Sequence, residues 1–323
     1  MTAIETRGLT KRYGDGVLAV DSLDLTVEDG EVFGFLGPNG AGKSTTIDVL
    51  LDYVRPTAGT ATVLGYDAQT ETAAIHRRVG ILPDGYGLYD RLSGRAHVAF
   101  AVDLKDADDD PADVLDRVGL DAAAADRRVG GYSKGMRQRL AFGIALVGDP
   151  DLLILDEPSS GLDPNGVREV RRIAREHADR GAAVFFSSHI LGQVEAVCDR
   201  VGILDGGRLV AVDTVDGLRE ALGTGSTIEL TVDQAPEGLS LADVRGVTAV
   251  ATDGRTIRAN CDEPEAKIEV IDRVREAGAS ILDVRTRESS LEELFAAYTG
   301  GSRSSEDGTP GDERTPDDPE VAG

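Results

Sequence analysis

The chain has 323 residues, more than one ordinary domain of about 100–200 residues holds, so at least two domains are expected. Its 37 Asp, 21 Glu, 29 Arg and 5 Lys give a net charge of −24, and a hydrophobic content of 41% excludes a wholly disordered acidic chain. The acidic surface repels nucleic-acid phosphate and anionic lipid at low salt, which argues against nucleic acid as a partner.

The cysteine content and the lengths of the apolar runs limit the class of protein further. Cys198 and Cys261 have no metal-type spacing and cannot build a disulfide framework, so both are expected to be small buried residues. No stretch has signal-peptide character, and none approaches the ~18 apolar residues of a membrane span. We therefore expect a cytosolic chain, or one that lies on a membrane without crossing it.

The N-terminal half begins with strand patterns. Residues 4–30 predict edge strands of a small antiparallel sheet. Glu31–Leu36 is an apolar strand that ends on a glycine-rich turn, and an amphipathic helix is predicted from Lys43 to Leu51. Residues 72–148 have a largely helical pattern, in which Asp106–Asp110 is expected to form a solvated loop.

Strand and helix patterns alternate further along the chain. They are a strand at Asp151–Leu155, a helix at Gly166–Asp179, a strand at Ala182–Ser187 and a helix at Leu191–Cys198. This βαβ alternation predicts a parallel sheet.

The pattern changes near Gly223. The predicted elements are a strand at Thr227–Val232, a hairpin at Val247–Ala259, a helix at Pro264–Ala277, a strand at Ile281–Thr286 and a closing helix at Ser290–Tyr298. They predict a small, ferredoxin-like α+β domain over residues 223–300. Residues 301–323 are acidic and contain almost nothing apolar, so we expect a disordered tail.

A phosphate-binding motif lies between the apolar strand and the first helix. Residues Gly37–Thr45 read GPNGAGKST, which matches G-x-x-x-x-G-K-[ST]. Glycines let backbone N–H groups converge on a phosphate, and the helix N-terminus adds a positive dipole. In this arrangement Lys43 bridges phosphate oxygens and Ser44 ligates Mg²⁺. The predicted ATP-binding residues here are Gly37, Pro38, Asn39, Gly40, Ala41, Gly42, Lys43, Ser44 and Thr45.

Two adjacent carboxylates follow the strand within DLLILDEP, Asp151–Pro158. The P-loop alone leaves kinases, GTPases and ATPases open, and paired acids can simply mark a strand end. Beside a P-loop, however, the pattern predicts that Asp156 holds Mg²⁺ through water and that Glu157 polarises the attacking water.

With Tyr132–Leu140, YSKGMRQRL, the sequence resembles the ABC-type ATPases. The family's motifs occur in its order over residues 1 to about 220: Tyr13, GPNGAGKST, the 80–95 segment, YSKGMRQRL, LDEPSSGLDP and SSH. The C-terminal SLEELFAAYTG is similar to exporter-type subunits related to antibiotic-resistance pumps.

The resemblance implies an α/β fold: a P-loop NTPase with a RecA-like parallel sheet core, an antiparallel β subdomain and a helical subdomain, plus the small C-terminal α+β domain. It implies a nucleotide-binding domain over residues 1–222, with the helical subdomain at about 84–148.

The resemblance also implies residue roles outside the P-loop. Tyr13 would stack on adenine, and Ser133 and Gly135 would cap a γ-phosphate held by a second protomer. Asp163 would lie at that dimer interface. His189 would contact the γ-phosphate and act in catalysis with Glu157 and Lys43, whereas His76, His97 and His177 match no motif and are expected at the surface.

Two positions depart from the family's pattern. Asp84 stands where the family usually has Gln. A carboxylate can still ligate Mg²⁺, but it adds negative charge beside the phosphates. Lys134 replaces a glycine of the signature without affecting the backbone of Gly135. Residues 84 to about 95 are expected to transmit motion to a permease.

The resemblance thus implies an ATPase subunit that binds ATP and Mg²⁺, pairs with a second protomer and energises a separate permease for export from the inner face of the membrane. One alternative is a soluble ABC-type ATPase that acts on nucleic acid or ribosomes, which the single motif set, the absence of sustained heptads and the acidic surface disfavour. Another is a regulatory module that holds ATP without hydrolysing it, which the presence of Glu157 disfavours.

The charge has a further interpretation. An Asp-rich, Lys-poor surface resembles that of halophilic archaeal proteins, because molar salt shortens the Debye length to ~3 Å and removes most of the repulsion.

Overall fold

The computed structural model describes residues 1–14, 16–221, 226–234, 236, 239–241, 243–261 and 263–287. The predicted closing helix at Ser290–Tyr298 and the tail over 301–323 lie outside these residues. None of the helices in the described part combines the length and apolar character that crossing a bilayer requires.

The described residues form three sheets with flanking helices. The strands are β1 (Thr2–Arg12), β2 (Leu18–Glu28), β3 (Val32–Leu36), β4 (Ala58–Val63), β5 (Tyr66–Asp67), β6 (Val79–Leu82), β7 (Leu152–Asp156), β8 (Ala183–Ser188), β9 (Arg200–Asp205), β10 (Arg208–Thr214), β11 (Ser226–Val232), β12 (Val247–Asp253), β13 (Thr256–Cys261) and β14 (Ile281–Arg287). The helices are α1 (Lys43–Leu50), α2 (Thr72–Arg78), α3 (Gly94–Lys105), α4 (Pro111–Arg117), α5 (Ala122–Asp126), α6 (Lys134–Leu146), α7 (Pro164–Asp179), α8 (Leu191–Glu195), α9 (Val215–Ala221) and α10 (Pro264–Glu276).

The central sheet has the strand order β10-β9-β3-β8-β7-β6. All neighbours are parallel except β10, which pairs antiparallel with β9 at one edge. Every residue of β3, β7 and β8 is buried, which fits their largely apolar sequences; polar residues occur only at the carboxyl ends of β7 and β8. The predicted βαβ alternation is confirmed, and the carboxyl ends of β3, β7 and β8 meet at one edge of the sheet.

A second, antiparallel sheet has the order β2-β1-β4-β5. Its buried residues, among them Ile4, Leu23 and Val63, share one hydrophobic core with α1 and one face of the central sheet. The other face of the central sheet packs against α6 and α7, and α3 and α4 extend the same core. The α/β fold class expected from the sequence is confirmed.

The expectation that residues 72–148 are largely helical is wrong at Val79–Leu82, which forms the edge strand β6 beside β7. Four apolar residues are too few for their periodicity to separate a strand from a helix. The expectation that His97 and His177 are surface residues is also wrong, since both are buried. The predicted acidic loop lies between α3 and α4. Its last residue, Asp110, caps α4 with its side chain.

The third sheet is antiparallel and has the order β12-β13-β11-β14. The helix α10 connects β13 to β14 and contacts β11 and β13, so the sheet has one face against a helix. Its core includes Leu230, Ile257 and Val270. Counted from its first strand, the order 2-3-1-4 is the strand order that the ferredoxin-like interpretation predicts, but of that fold's two helices the described residues contain only the second, α10. Cys198 and Cys261 are both buried, as expected, and no disulfide joins them within the described residues.

Candidate nucleotide-binding site

The loop between β3 and α1 is shaped by two glycines that touch backbone. Gly42 has φ 109°, and a Cβ on it would lie 2.3 Å from the carbonyl oxygen of Ala19. A Cβ on Gly37 would lie 2.5 Å from the carbonyl oxygen of Leu204. The loop can therefore lie directly on neighbouring backbone, an approach that a side chain at either position would block.

Lys43 begins α1 and is 6% exposed. Its Nζ donates to the carbonyl oxygens of Gly37 at 2.7 Å and Pro38 at 3.3 Å. The ammonium group also lies 3.6 Å from Oε1 of Glu157. A cation is thus held at the centre of the loop, where a phosphate oxygen can replace a neutral carbonyl partner.

Asp156 ends β7 and is 4% exposed. Its Oδ2 accepts from the hydroxyl of Ser44 at 3.0 Å, and its Oδ1 accepts from the hydroxyl of Ser187. Among the described residues, no basic group forms an ion pair with this buried carboxylate. Burial first, and then the charge of Asp156, raise the pKa of Asp48 in α1.

These contacts fit a divalent cation. Carboxylate and hydroxyl oxygens are the ligands that Mg²⁺ prefers, and Ser44 and Asp156 already lie within hydrogen-bond distance of each other. A cation there would neutralise a buried carboxylate that has only hydroxyl partners. Asp84 supplies a third oxygen-bearing side chain in the lining of the same cavity.

Glu157 directly follows β7 and has φ 49°, a left-handed conformation that is rare for residues other than glycine. Its Oε2 lies 2.9 Å from Nδ1 of His189. Its Oε1 is buried and has no hydrogen-bond partner within the described part of the chain. With the Lys43 ammonium group 3.6 Å away, this oxygen is an unused hydrogen-bond acceptor of a residue that lines the site's cavity.

These groups line one cavity of about 170 Å³. Its lining residues are Ala19, Asn39, Gly40, Gly42, Lys43, Ser44, Thr45, Asp84, Asp156 and Glu157. The structure therefore brings together most of the P-loop, both carboxylates of DLLILDEP and Asp84. His189 joins the group through its contact with Glu157.

A second cluster contains Ser133, Gly135 and Asp163, none of which lines this cavity. The hydroxyl of Ser133 caps α6 by accepting from the amide of Met136 at 3.2 Å. Asp163 caps α7 and lies 3.7 Å from Arg139 of α6. Asp163 thus joins the start of α7 to α6, and neither helix start lines the cavity at the chain's own P-loop.

Tyr13 follows β1 and is 38% exposed. Nζ of Lys11 lies 5.0 Å from the centre of its ring, a cation–π contact. Tyr13 does not line the cavity of about 170 Å³.

Two residues near the site had no role in the sequence analysis. Ala19 supports the P-loop through its carbonyl, and only the fold shows this. Ser187 bonds to Asp156 and is recognisable in hindsight as a hydroxyl residue at the carboxyl end of an apolar strand.

Comparison with known proteins identifies this arrangement. The family profile described as ABC transporter matches residues 20–160. The chain is 35% identical over 308 residues to the daunorubicin/doxorubicin resistance ATP-binding protein DrrA of Streptomyces peucetius, covering 92% of each chain. The chain belongs to the ABC transporter family.

Two further proteins place the chain within that family. It is 32% identical to the linearmycin resistance ATP-binding protein LnrL of Bacillus subtilis, covering 92% of this chain and 98% of that one. A solved ATP-binding subunit of an ABC transporter superposes with a TM-score of 0.63 at 28% identity, covering 69% of this chain and 94% of that chain. The chain is therefore an ATP-binding and ATP-hydrolysing subunit of an ABC transporter.

Proposed function

We propose that the chain hydrolyses Mg-ATP between two protomers and thereby drives a separate membrane permease that exports its substrate. The observation that carries this proposal is the cavity lined by a buried Lys43, the Ser44–Asp156 pair and Glu157, whose carboxylate also contacts His189. Export is supported by the drug-resistance names of relatives that align over almost the whole chain.

Each group in the cavity has a distinct task. Lys43 and the P-loop amides bind the phosphates, and Glu157 accepts a proton from the attacking water or polarises it. His189 holds the Glu157 carboxylate and reaches towards the γ-phosphate. Mg²⁺, when bound, neutralises charge on the phosphate oxygens; Ser44, Asp156 and Asp84 would hold it.

The position of the signature residues supports a second protomer. Ser133 and Gly135 begin a helix whose N-terminus suits a phosphate, yet they do not line the cavity of their own chain. In our proposal they cap the γ-phosphate bound to the partner, with Asp163 at the same interface. Tyr13 stacks on adenine from the exposed end of β1.

We assign the nucleotide-binding domain to residues 1–222, its helical subdomain to about 84–148, the accessory domain to 223–300 and a C-terminal tail to 301–323. Because ATP is a cytoplasmic substrate, we place the chain on the inner face of the membrane beside its permease. The net charge of −24 disfavours nucleic acid as a partner and supports a salt-adapted, halophilic origin.

Affinity purification of the full chain from native membranes in molar salt tests the partner. We expect a polytopic membrane protein to co-purify and to be lost when residues 84–95 are altered. Ribosomal or DNA-bound proteins in its place would support the soluble-ATPase alternative and refute the transporter proposal.

A further inference from the structure

Ser187 is a fully buried polar residue within an apolar strand. It is 0% exposed and follows Phe185 and Phe186 in β8, the strand between β3 and β7. A buried hydroxyl costs free energy unless it is hydrogen-bonded, and a small apolar residue at this position avoids that cost. The contacts of this hydroxyl therefore indicate what it does.

The Ser187 hydroxyl lies between the two acidic residues of the site. In the parallel register of β7 and β8, Ser187 pairs with Asp156. Its Oγ donates to Oδ1 of Asp156, and the amide of Glu157 lies 3.4 Å from the same Oγ. The Glu157 amide also donates to the Ser187 carbonyl oxygen at 3.2 Å.

The two oxygens of the Asp156 carboxylate therefore have different partners. Oδ1 is occupied by Ser187, and Oδ2 remains directed at the Ser44 hydroxyl, 3.0 Å away. A hydrogen bond to an ionised acceptor is stronger and more directional than one between neutral groups. It restricts rotation of the carboxylate about its terminal bond, which is otherwise broad and roughly two-fold.

The same residue supports the unusual backbone of Glu157. The φ of 49° directs the Glu157 side chain towards His189, and such a conformation persists only where surrounding contacts hold it. The Ser187 carbonyl and hydroxyl oxygens are the acceptors for the Glu157 amide.

We infer that Ser187 is a positioning residue of the ATPase: its hydroxyl fixes the Asp156 carboxylate with Oδ2 facing Ser44 and the Mg²⁺ position, and anchors the turn that presents Glu157. The inference rests on the proposed function. It predicts a specific effect on the Mg²⁺ requirement, which a general packing role would not produce.

Ser187→Ala removes the hydroxyl and adds no volume. The concentration of Mg²⁺ that half-saturates hydrolysis should rise about tenfold or more, as expected for loss of a charge-assisted hydrogen bond, and kcat should fall. Equilibrium binding of a fluorescent ATP analogue in excess EDTA should be unchanged. Within the described part of the chain, the Ser187 hydroxyl forms hydrogen bonds with Asp156 and Glu157 and with no P-loop residue. Binding of the analogue with Mg²⁺ should weaken.

Ser188→Ala is the matched control. Ser188 is also 0% exposed, but its hydroxyl contacts Ile190 and Gln193, not Asp156 or Glu157. We expect this control to change the midpoint of thermal unfolding while its half-saturating Mg²⁺ concentration stays constant. Ser187→Cys, which retains a weak donor, should fall between the wild-type chain and Ser187→Ala, and it replaces that variant if alanine prevents folding.

The outcomes separate this inference from the proposed function. If the wild-type chain hydrolyses Mg-ATP and Ser187→Ala has an unchanged Mg²⁺ requirement, the positioning role is refuted and the ATPase stands. Equal loss of analogue binding with and without Mg²⁺ also refutes it, because the defect is then general. A wild-type chain without ATPase activity refutes the proposed function itself.

Discussion

Replacing Glu157 by Gln tests the assignment of the group that activates water. The substitution preserves the shape of a side chain that is 14% exposed and keeps an oxygen that can accept from His189, now 2.9 Å away. It removes the negative charge 3.6 Å from Nζ of Lys43 and makes the group a much weaker base.

The expected magnitude follows from these contacts. Loss of a positioned general base lowers kcat by about 10²- to 10⁴-fold, or about 3–5 kcal/mol of transition-state stabilisation. ATP binding should persist, because Lys43 keeps its position through the Gly37 carbonyl oxygen at 2.7 Å. With binding intact and turnover blocked, the ATP-bound dimer should accumulate.

Phosphate release under saturating Mg-ATP measures the loss of kcat. Light scattering after size exclusion, with and without ATP, measures the accumulation of the ATP-bound dimer. Glu169→Gln is the matched control, since it removes the same charge from a surface residue of α7 that pairs with Arg172. Hydrolysis by Glu157→Gln at a rate close to that of the control would refute the reasoning.

Four other predictions test the site and the surface. Gly42→Ala places a Cβ 2.3 Å from the carbonyl oxygen of Ala19 at φ 109°, so it should cost about 1–3 kcal/mol in unfolding free energy by chemical denaturation, whereas Gly192→Ala, with open space at its Cβ, should not. Lys43→Ala should weaken ATP binding by about 10- to 100-fold in calorimetry, the value of a hydrogen bond to a charged group, and unchanged affinity would contradict the P-loop assignment. Asp84→Ala should raise the half-saturating Mg²⁺ concentration of the ATPase, because Asp84 lines the cavity; an unchanged requirement would remove it from the metal site. Raising KCl from 0.1 to 2 M should raise the thermal unfolding midpoint, because screening relieves repulsion within a chain of net charge −24, and a lower midpoint would contradict the salt-adapted interpretation.

The P-loop and its flanking elements were predictable because several constraints coincide there. An apolar strand, a run of glycines and a helix start leave few alternatives for Gly37–Thr45, and α1 begins at the predicted Lys43. The strand before the paired carboxylates was likewise predicted within one residue, as Leu152–Asp156. Its uninterrupted apolar character is what a strand buried on both faces requires.

The edge strand β6 and the geometry around Asp84 could not be predicted in the same way. Val79–Leu82 is a strand because it pairs with β7, a contact between residues about 70 positions apart in sequence that local periodicity does not report. Once β6 lies at the sheet edge, its carboxyl end places Asp84 in the lining of the cavity that contains Asp156. The family resemblance identified Asp84 as a candidate, but only the strand explains why this residue lines the cavity.

The register between β7 and β8 determines which of Ser187 and Ser188 contacts Asp156. The sequence presents two adjacent serines, and alternation in a strand sends one side chain to each face of the sheet without saying which of them shares a face with Asp156 of β7. The pairing of Asp156 with Ser187 settles this, since it puts the Ser187 hydroxyl against the carboxylate and directs Ser188 to the loop that carries His189. A slip of one residue between β7 and β8 would exchange the two serines and leave the Asp156 carboxylate without its donor. The apolar residues of β7 and β8 hold this register because they are buried in the core. They therefore help to determine the catalytic geometry although they do not line the cavity themselves.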